Sequence, residues 1–159
     1  MPTIVLNTSI AAPLERCFDL ARSVEFHLAS TPGSAEQVVG PIKSGLLGLG
    51  DEVTWRARHL GATRRLTSRI VAYQRPIHFR DSQVRGPFRS FDHDHEFLRM
   101  SAQTLMTDRF RFAAPFGPLG RLVERLILTR YLTRVLRERG RLLKAAAESE
   151  EWRKYLSAG

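Results

Sequence analysis

From Thr3 to Ile10 the chain alternates, with Ile4, Leu6, Thr8 and Ile10 set against more polar neighbours, the signature of a half-buried strand. Ala12-Pro13 then opens a helix, because proline suits a first helical turn; Leu14, Cys17, Phe18 and Ala21 recur on one face. A second short helix is expected over 23–29, capped by Ser23 and stopped by Thr31-Pro32-Gly33-Ser34. From Ala35 to Phe112 the period falls to two. Strands are expected at 35–40, 51–60, 62–73, 77–85, 88–99 and 103–113, separated by turn residues such as Gly61, Pro76 and Gly86-Pro87. Strands joined by such short connections form an antiparallel meander.

The stretch 119–147 has no proline and reads as helix, but its apolar face moves. Leu119, Leu122, Val123, Leu126 and Ile127 cluster in one direction; Tyr131, Leu132, Val135, Leu136, Leu142 and Leu143 cluster on nearly the opposite side. A straight helix cannot bury both, so a kink or break is expected around Leu128–Arg130. The pattern as a whole predicts an α+β domain over 1–148 with a tail at 149–159. Seven strands form a curved antiparallel sheet that closes around the long C-terminal helix, and two short helices follow strand 1. A coiled sheet and one helix do not touch everywhere, and the space left over is a pocket.

Composition narrows the classes. A chain of 159 residues can bury a core without staples, and Cys17, the single cysteine, falls on the apolar face of the first helix as a buried thiol. No run reaches the ~18 apolar residues of a membrane span, and the start lacks the form of a signal peptide, so a cytoplasmic protein is expected. The formal charge of +9 belongs to the later strands and final helix: residues 1–60 carry 5 basic and 6 acidic groups, whereas 61–118 and 119–159 each carry 10 and 5. Such a field could draw nucleic acid or acidic lipid. A solvated basic face is the simpler reading, which makes nucleic acid an unlikely partner and leaves membrane contact transient.

Alternation also sorts the polar residues. Val53, Trp55 and Ala57 share a face with His59; Phe79 runs with Asp81 and Gln83; Phe91 and Phe97 flank His93 and His95; Met106, Phe110 and Phe112 run with Asp108. Asp92 and Asp94 are then outward. Five titratable groups (His59, Asp81, His93, His95 and Asp108) are aimed at the interior, where each must find a partner or change protonation state. They could pair and hold the sheet in register, orient the polar end of an apolar guest, or move protons as a His–Asp couple. Trp55, Phe79, Phe91, Phe97, Met106 and Phe110 would supply the apolar wall. His93 and His95 with Asp81 or Asp108 could be read as metal ligands, but the spacing is weak evidence and no metal or cofactor is expected. Ser44–Gly50 places Leu46, Leu47 and Leu49 on a glycine-rich connection, and Phe116 lies in another before the last helix. These four are candidates for a lid or gate, and neither segment has the context of a phosphate loop.

Tyr73–Asp81, Arg85–Phe97, the opening Ile10-Ala11-Ala12-Pro13 and the glycine-rich turn before Asp51–Trp55 together resemble the SRPBCC/START-like superfamily, in particular its polyketide cyclase/dehydrase-like members. The resemblance spans nearly the whole chain. It implies a helix-grip fold with a hydrophobic cavity, and a ligand drawn from lipids, polyketides or quinones. It carries no universal catalytic motif, so no catalytic role transfers. Three functions remain open: a binding protein for a small apolar ligand, a cyclase/dehydratase-type enzyme using a His–Asp pair, and a basic module that docks on membrane, nucleic acid or protein. Nothing in the pattern sets an oligomeric state.

Overall fold

The computed structural model describes residues 1–156. Seven strands, β1 (Thr3–Ile10), β2 (Gln37–Val38), β3 (Glu52–His59), β4 (Ala62–Gln74), β5 (His78–Arg85), β6 (Ser90–Met100) and β7 (Gln103–Ala113), form one sheet. Their order is β1-β7-β6-β5-β4-β3-β2, with every pair antiparallel. The meander runs from β2 to β7, and β1 completes it beside β7. Register shifts in β4, between Thr67 and Ser68 and between Ile70 and Ala72, add local bending to the long central strand. The edge strand β2 has only two residues of the six expected; Ala35 is left-handed on one side and Gly40-Pro41 interrupts the other.

Helices α1 (Leu14–Ala21) and α2 (Val24–Ala29) follow β1 as the pattern requires, and the Ser23 hydroxyl accepts the Phe26 N–H at 3.1 Å. Phe18 drives its ring edge-on into Tyr73, Phe79 and Phe97, with centroids 5.3–5.6 Å apart, to make one core. A second gathers Ile4, Phe91, Phe110, Phe112 and Leu136. Cys17 is buried beside the first, and burial pushes its thiol up to about 11, so it is inert.

The C-terminal helix runs without interruption through α3 (Gly117–Val123), a π-helical turn (Glu124–Leu128) and α4 (Thr129–Ala147). The expected break near Leu128–Arg130 is therefore a π-turn just before it. One extra residue in a turn rotates everything downstream by roughly 100° without interrupting the backbone, and only the downstream apolar face is buried: Leu136 and Leu143 are covered while Leu119, Leu122, Leu126 and Ile127 stay exposed. The Glu124 carbonyl accepts both the Thr129 N–H and the Thr129 hydroxyl, the latter at 2.7 Å. The buried Glu124 carboxylate accepts the Ala114 N–H, tying the helix start to the end of β7.

Two placements add to what the alternation predicts. Asp94 lies on the outer face as expected, yet it is only 4% exposed: Arg80 bonds it at 2.8 and 3.0 Å, His78 at 2.7 Å, and Arg111 stands 3.8 Å away. Long side chains from neighbouring strands fold over it. The segment expected to be a tail from 149 onward is docked as far as it is described, since Tyr155 packs on Phe26 and Arg16 stacks over Trp152 at 4.3 Å; residues 157–159 lie outside the described residues.

Gly120 permits the close approach of α3 to the strand end, for a methyl group there would sit 1.9 Å from the Pro115 carbonyl oxygen. Gly120→Ala should therefore lower stability by about 1–3 kcal/mol in denaturant titration. Gly48→Ala, with its nearest atom 3.8 Å away, should be close to neutral.

Candidate functional site

A cavity of about 570 Å³ separates the sheet from the C-terminal helix. Its walls are aromatic and aliphatic: Trp55, Leu66, Phe88, Phe91 and Phe110 on the sheet side, Leu132, Val135 and Leu136 on α4. The β3–β4 hairpin (Leu60), the β5–β6 turn (Pro87, Phe88), the β7–α3 connection (Phe116) and the first turn of α3 (Leu119) make its rim. Phe116 is 82% exposed there. Polar groups enter from His27, Glu36, His59, Asp81, His93, Tyr131 and Arg139.

Of the residues expected to contact a ligand, Trp55, His59, Asp81, Phe91, His93 and Phe110 border this cavity. Phe79, Phe97 and Met106 instead belong to the core under α1. Gln83 serves the β5–β6 turn, donating to the Phe88 carbonyl at 2.8 Å and accepting the Phe88 N–H at 3.2 Å. The leucine connection is not at the mouth: Leu47 is buried against the core, Leu46 bridges to Ser23, and Leu49 is exposed. Glu25 grips the Gly45 N–H with both carboxylate oxygens at 3.0 and 3.1 Å, which fastens this loop to α2. Of the four gate candidates only Phe116 stands at the cavity.

Register explains how the interior polar groups meet. His93 pairs with Phe110 on β7 and Asp81 on β5, while His95 pairs with Asp108 and Phe79. His95 therefore stands between two carboxylates, with Nε2 2.9 Å from Asp81 and Nδ1 3.2 Å from Asp108. His93 reaches Asp108 through Nε2 at 2.9 Å. Phe79 stacks on the His95 ring at 4.2 Å, and the His93 ring lies 3.8 Å on from it. Burial opposes a charge on His95, but hydrogen bonds to Asp108 and Asp81 outweigh it and raise its pKa to about 9. Burial, followed by the charge on His95, holds His93 below its ordinary value. Despite burial, hydrogen bonds from the imidazoles hold Asp108 and Asp81 low. His95 is thus an imidazolium with both N–H groups committed, and His93 a neutral imidazole whose Nε2–H donates to Asp108. One ligand atom from each of Asp81, His93 and His95 lies within 4.8 Å of the others. A metal ion there would have to strip His95 of its proton and its partners.

A second polar group lies where strand alternation gives no guidance. His27 on α2 bonds Glu36 at 2.8 Å and stacks on Trp55 at 3.9 Å. Burial, then the charge of Arg139, keeps the His27 pKa low; Glu36, against its burial, is drawn down to about 2 by His27. Tyr131 holds His59 through its hydroxyl at 2.5 Å. The helical clustering of Tyr131, Leu132 and Val135 points to Tyr131 and to the next turn, where Arg139 lies.

No family model matches the sequence, and no curated protein matches it. Solved structures do. They include the protein TTHA0849 of Thermus thermophilus (TM-score 0.71, 19% identity, covering 92% of this chain and 99% of that one). The Zhui aromatase/cyclase of Streptomyces sp. R1128 superposes at 0.70 with 16% identity, covering 99% and 98%. Ginseng major latex-like protein 151 from Panax ginseng gives 0.64 with 16% identity, covering 93% and 98%. The chain shares with them a helix-grip fold, an antiparallel sheet closed around a long C-terminal helix. At these identities the likeness defines fold, and chemistry must be read from the site.

The charge state of the cluster is open to titration. His95 has a folded pKa above the unfolded value of about 6.5, so its contribution to stability is complete below that value and is lost as pH rises through about 9. Unfolding free energy should accordingly decline between about pH 7 and 9. In imidazole NMR His95 should titrate near the top of that window, while His93 and His27 titrate below about 6.5.

Proposed function

We propose that the chain binds one small, largely apolar molecule in the cavity between sheet and helix. The observation that carries this reading is the void itself: about 570 Å³ with mostly apolar walls, closed at its inner end by a few fixed polar groups. Ligand pockets of ~300–1,000 Å³ have this composition. Trp55, Phe91 and Phe110 supply wall, while His59, Asp81 and His93 supply orientation. A lipid, polyketide or quinone-like guest suits it. Entry is at the rim, where Phe116, Leu119, Leu122, Leu126 and Ile127 are exposed beside Arg121 and Arg125. That combination favours brief contact with a membrane surface during loading.

A cyclase/dehydratase-type activity is the second reading, favoured by one observation. His93 borders the cavity with Asp108 behind it and has a neutral imidazole, the arrangement of a general base. Catalysis would then rest on His93, with Asp108 positioning it and the His95–Asp81 pair holding Asp108.

A fluorescent apolar probe should bind at one per chain. Filling the cavity by Val135→Trp, or charging it by Phe110→Asp, should weaken binding at least about tenfold in variants whose circular dichroism is unchanged. Retention of affinity in folded variants would refute the assignment. His93→Phe separates the two readings: loss of affinity alone marks an orienting group, and loss of turnover with affinity kept marks a base.

A further inference from the structure

Most charged groups that border the cavity are committed to partners on neighbouring elements. Asp81, Asp108 and His95 bond one another, and Glu36 bonds His27. Arg139 does not take part. It projects from α4 one turn beyond Val135 and Leu136, on the face that lines the cavity, and borders both the main cavity and a small void of about 20 Å³ that His95 and Asp108 also line. Its Nε is shut off from solvent and has no hydrogen-bond partner. Among the described residues no carboxylate oxygen lies within 4.0 Å of its nitrogens. The nearby acids that feel its charge, Glu36 and Asp81, are committed to imidazoles.

A guanidinium is charged at every accessible pH and carries five donors in a planar fork that matches a carboxylate. Leaving such a group half-buried and without a bonded partner costs free energy unless something else satisfies it. Apolar walls lead from the rim to this group, and the interior carboxylates Glu36, Asp81 and Asp108 are already bonded to imidazoles. An amphipathic acid fits both features at once: its hydrocarbon part fills the void while its carboxylate reaches the guanidinium.

We propose that Arg139 is a ligand-binding residue that anchors the carboxylate of an amphipathic organic acid, whose apolar body lies along Phe91, Phe110 and Leu132. This rests on the cavity reading above and adds the chemical class of the guest. Two sources share that chemistry, a fatty acid and an aromatic carboxylic acid, and affinity decides between them.

The test compares a medium-chain fatty acid and a naphthoic acid with their methyl esters, by calorimetry at pH 7 on the full chain. In the wild type at least one acid should bind about tenfold or more tighter than its ester, a difference of about 1.4 kcal/mol. Arg139→Met should bind that acid no better than the ester while keeping its affinity for the ester; Arg139→Lys should fall between, retaining charge but not the fork. Equal affinity for acid and ester in the wild type, or an acid preference that survives Arg139→Met, would overturn the anchor and leave the cavity reading standing. Failure of every acid, ester and apolar probe to bind the wild type would overturn both. Should Arg139→Met not fold, the wild type still decides: a bound ¹³C-labelled carboxyl must titrate below the free acid, and one that titrates at or above it refutes the anchor.

Discussion

Three strands of this sheet are joined through one imidazolium. His95 on β6 lies between Asp81 on β5 and Asp108 on β7, and each carboxylate needs it, because a buried carboxylate without a counter-charge would take up a proton or unfold its surroundings. The same arrangement fixes His93: burial, and then the positive charge of His95, outweigh the pull of Asp108, so His93 remains neutral and presents its ring to the cavity. The cavity's polar end is thus built on a charge balance set one layer below it. On the opposite face of β6 a second balance surrounds Asp94, held by Arg80, His78 and Arg111. The strand carries paired charge on both sides, which opposes any slip in its register.

Much of this is legible in the alternation along β3, β5, β6 and β7. A two-residue repeat leaves little freedom once two phenylalanines flank a histidine pair, so the meeting of His93, His95, Asp81 and Asp108 follows from the pattern. What alternation cannot say is depth. Phe79, Phe97 and Met106 share the inner face with Phe91 and Phe110, but α1 and the end of α4 cover the first three while the void lies over the others. Only the placement of the helices decides which inward residue meets protein and which meets space.

The residues that the pattern does not reveal come from places where no repeat speaks. His27 is on a six-residue helix, Glu36 in the connection after it, Phe88 in a turn, and Arg139 on a helix with arginines on every side. Outward charge is also a poor guide to solvation: Asp94 faces away from the core, yet neighbouring strands supply enough arginine to bury it. The leucine connection misleads in the other direction, since its apolar content serves α1 and α2 instead of the mouth.

The π-turn at Glu124–Leu128 divides the long helix into two segments of different phase. Upstream residues make the rim and its exposed apolar belt; downstream residues make the inner wall, ending in Arg139. The extra residue resets the rotation between them, so the segment at the opening and the segment along the inner wall present different faces to the sheet. The opening and the inner wall therefore sit on separate stretches of one helix, joined by a single wide turn.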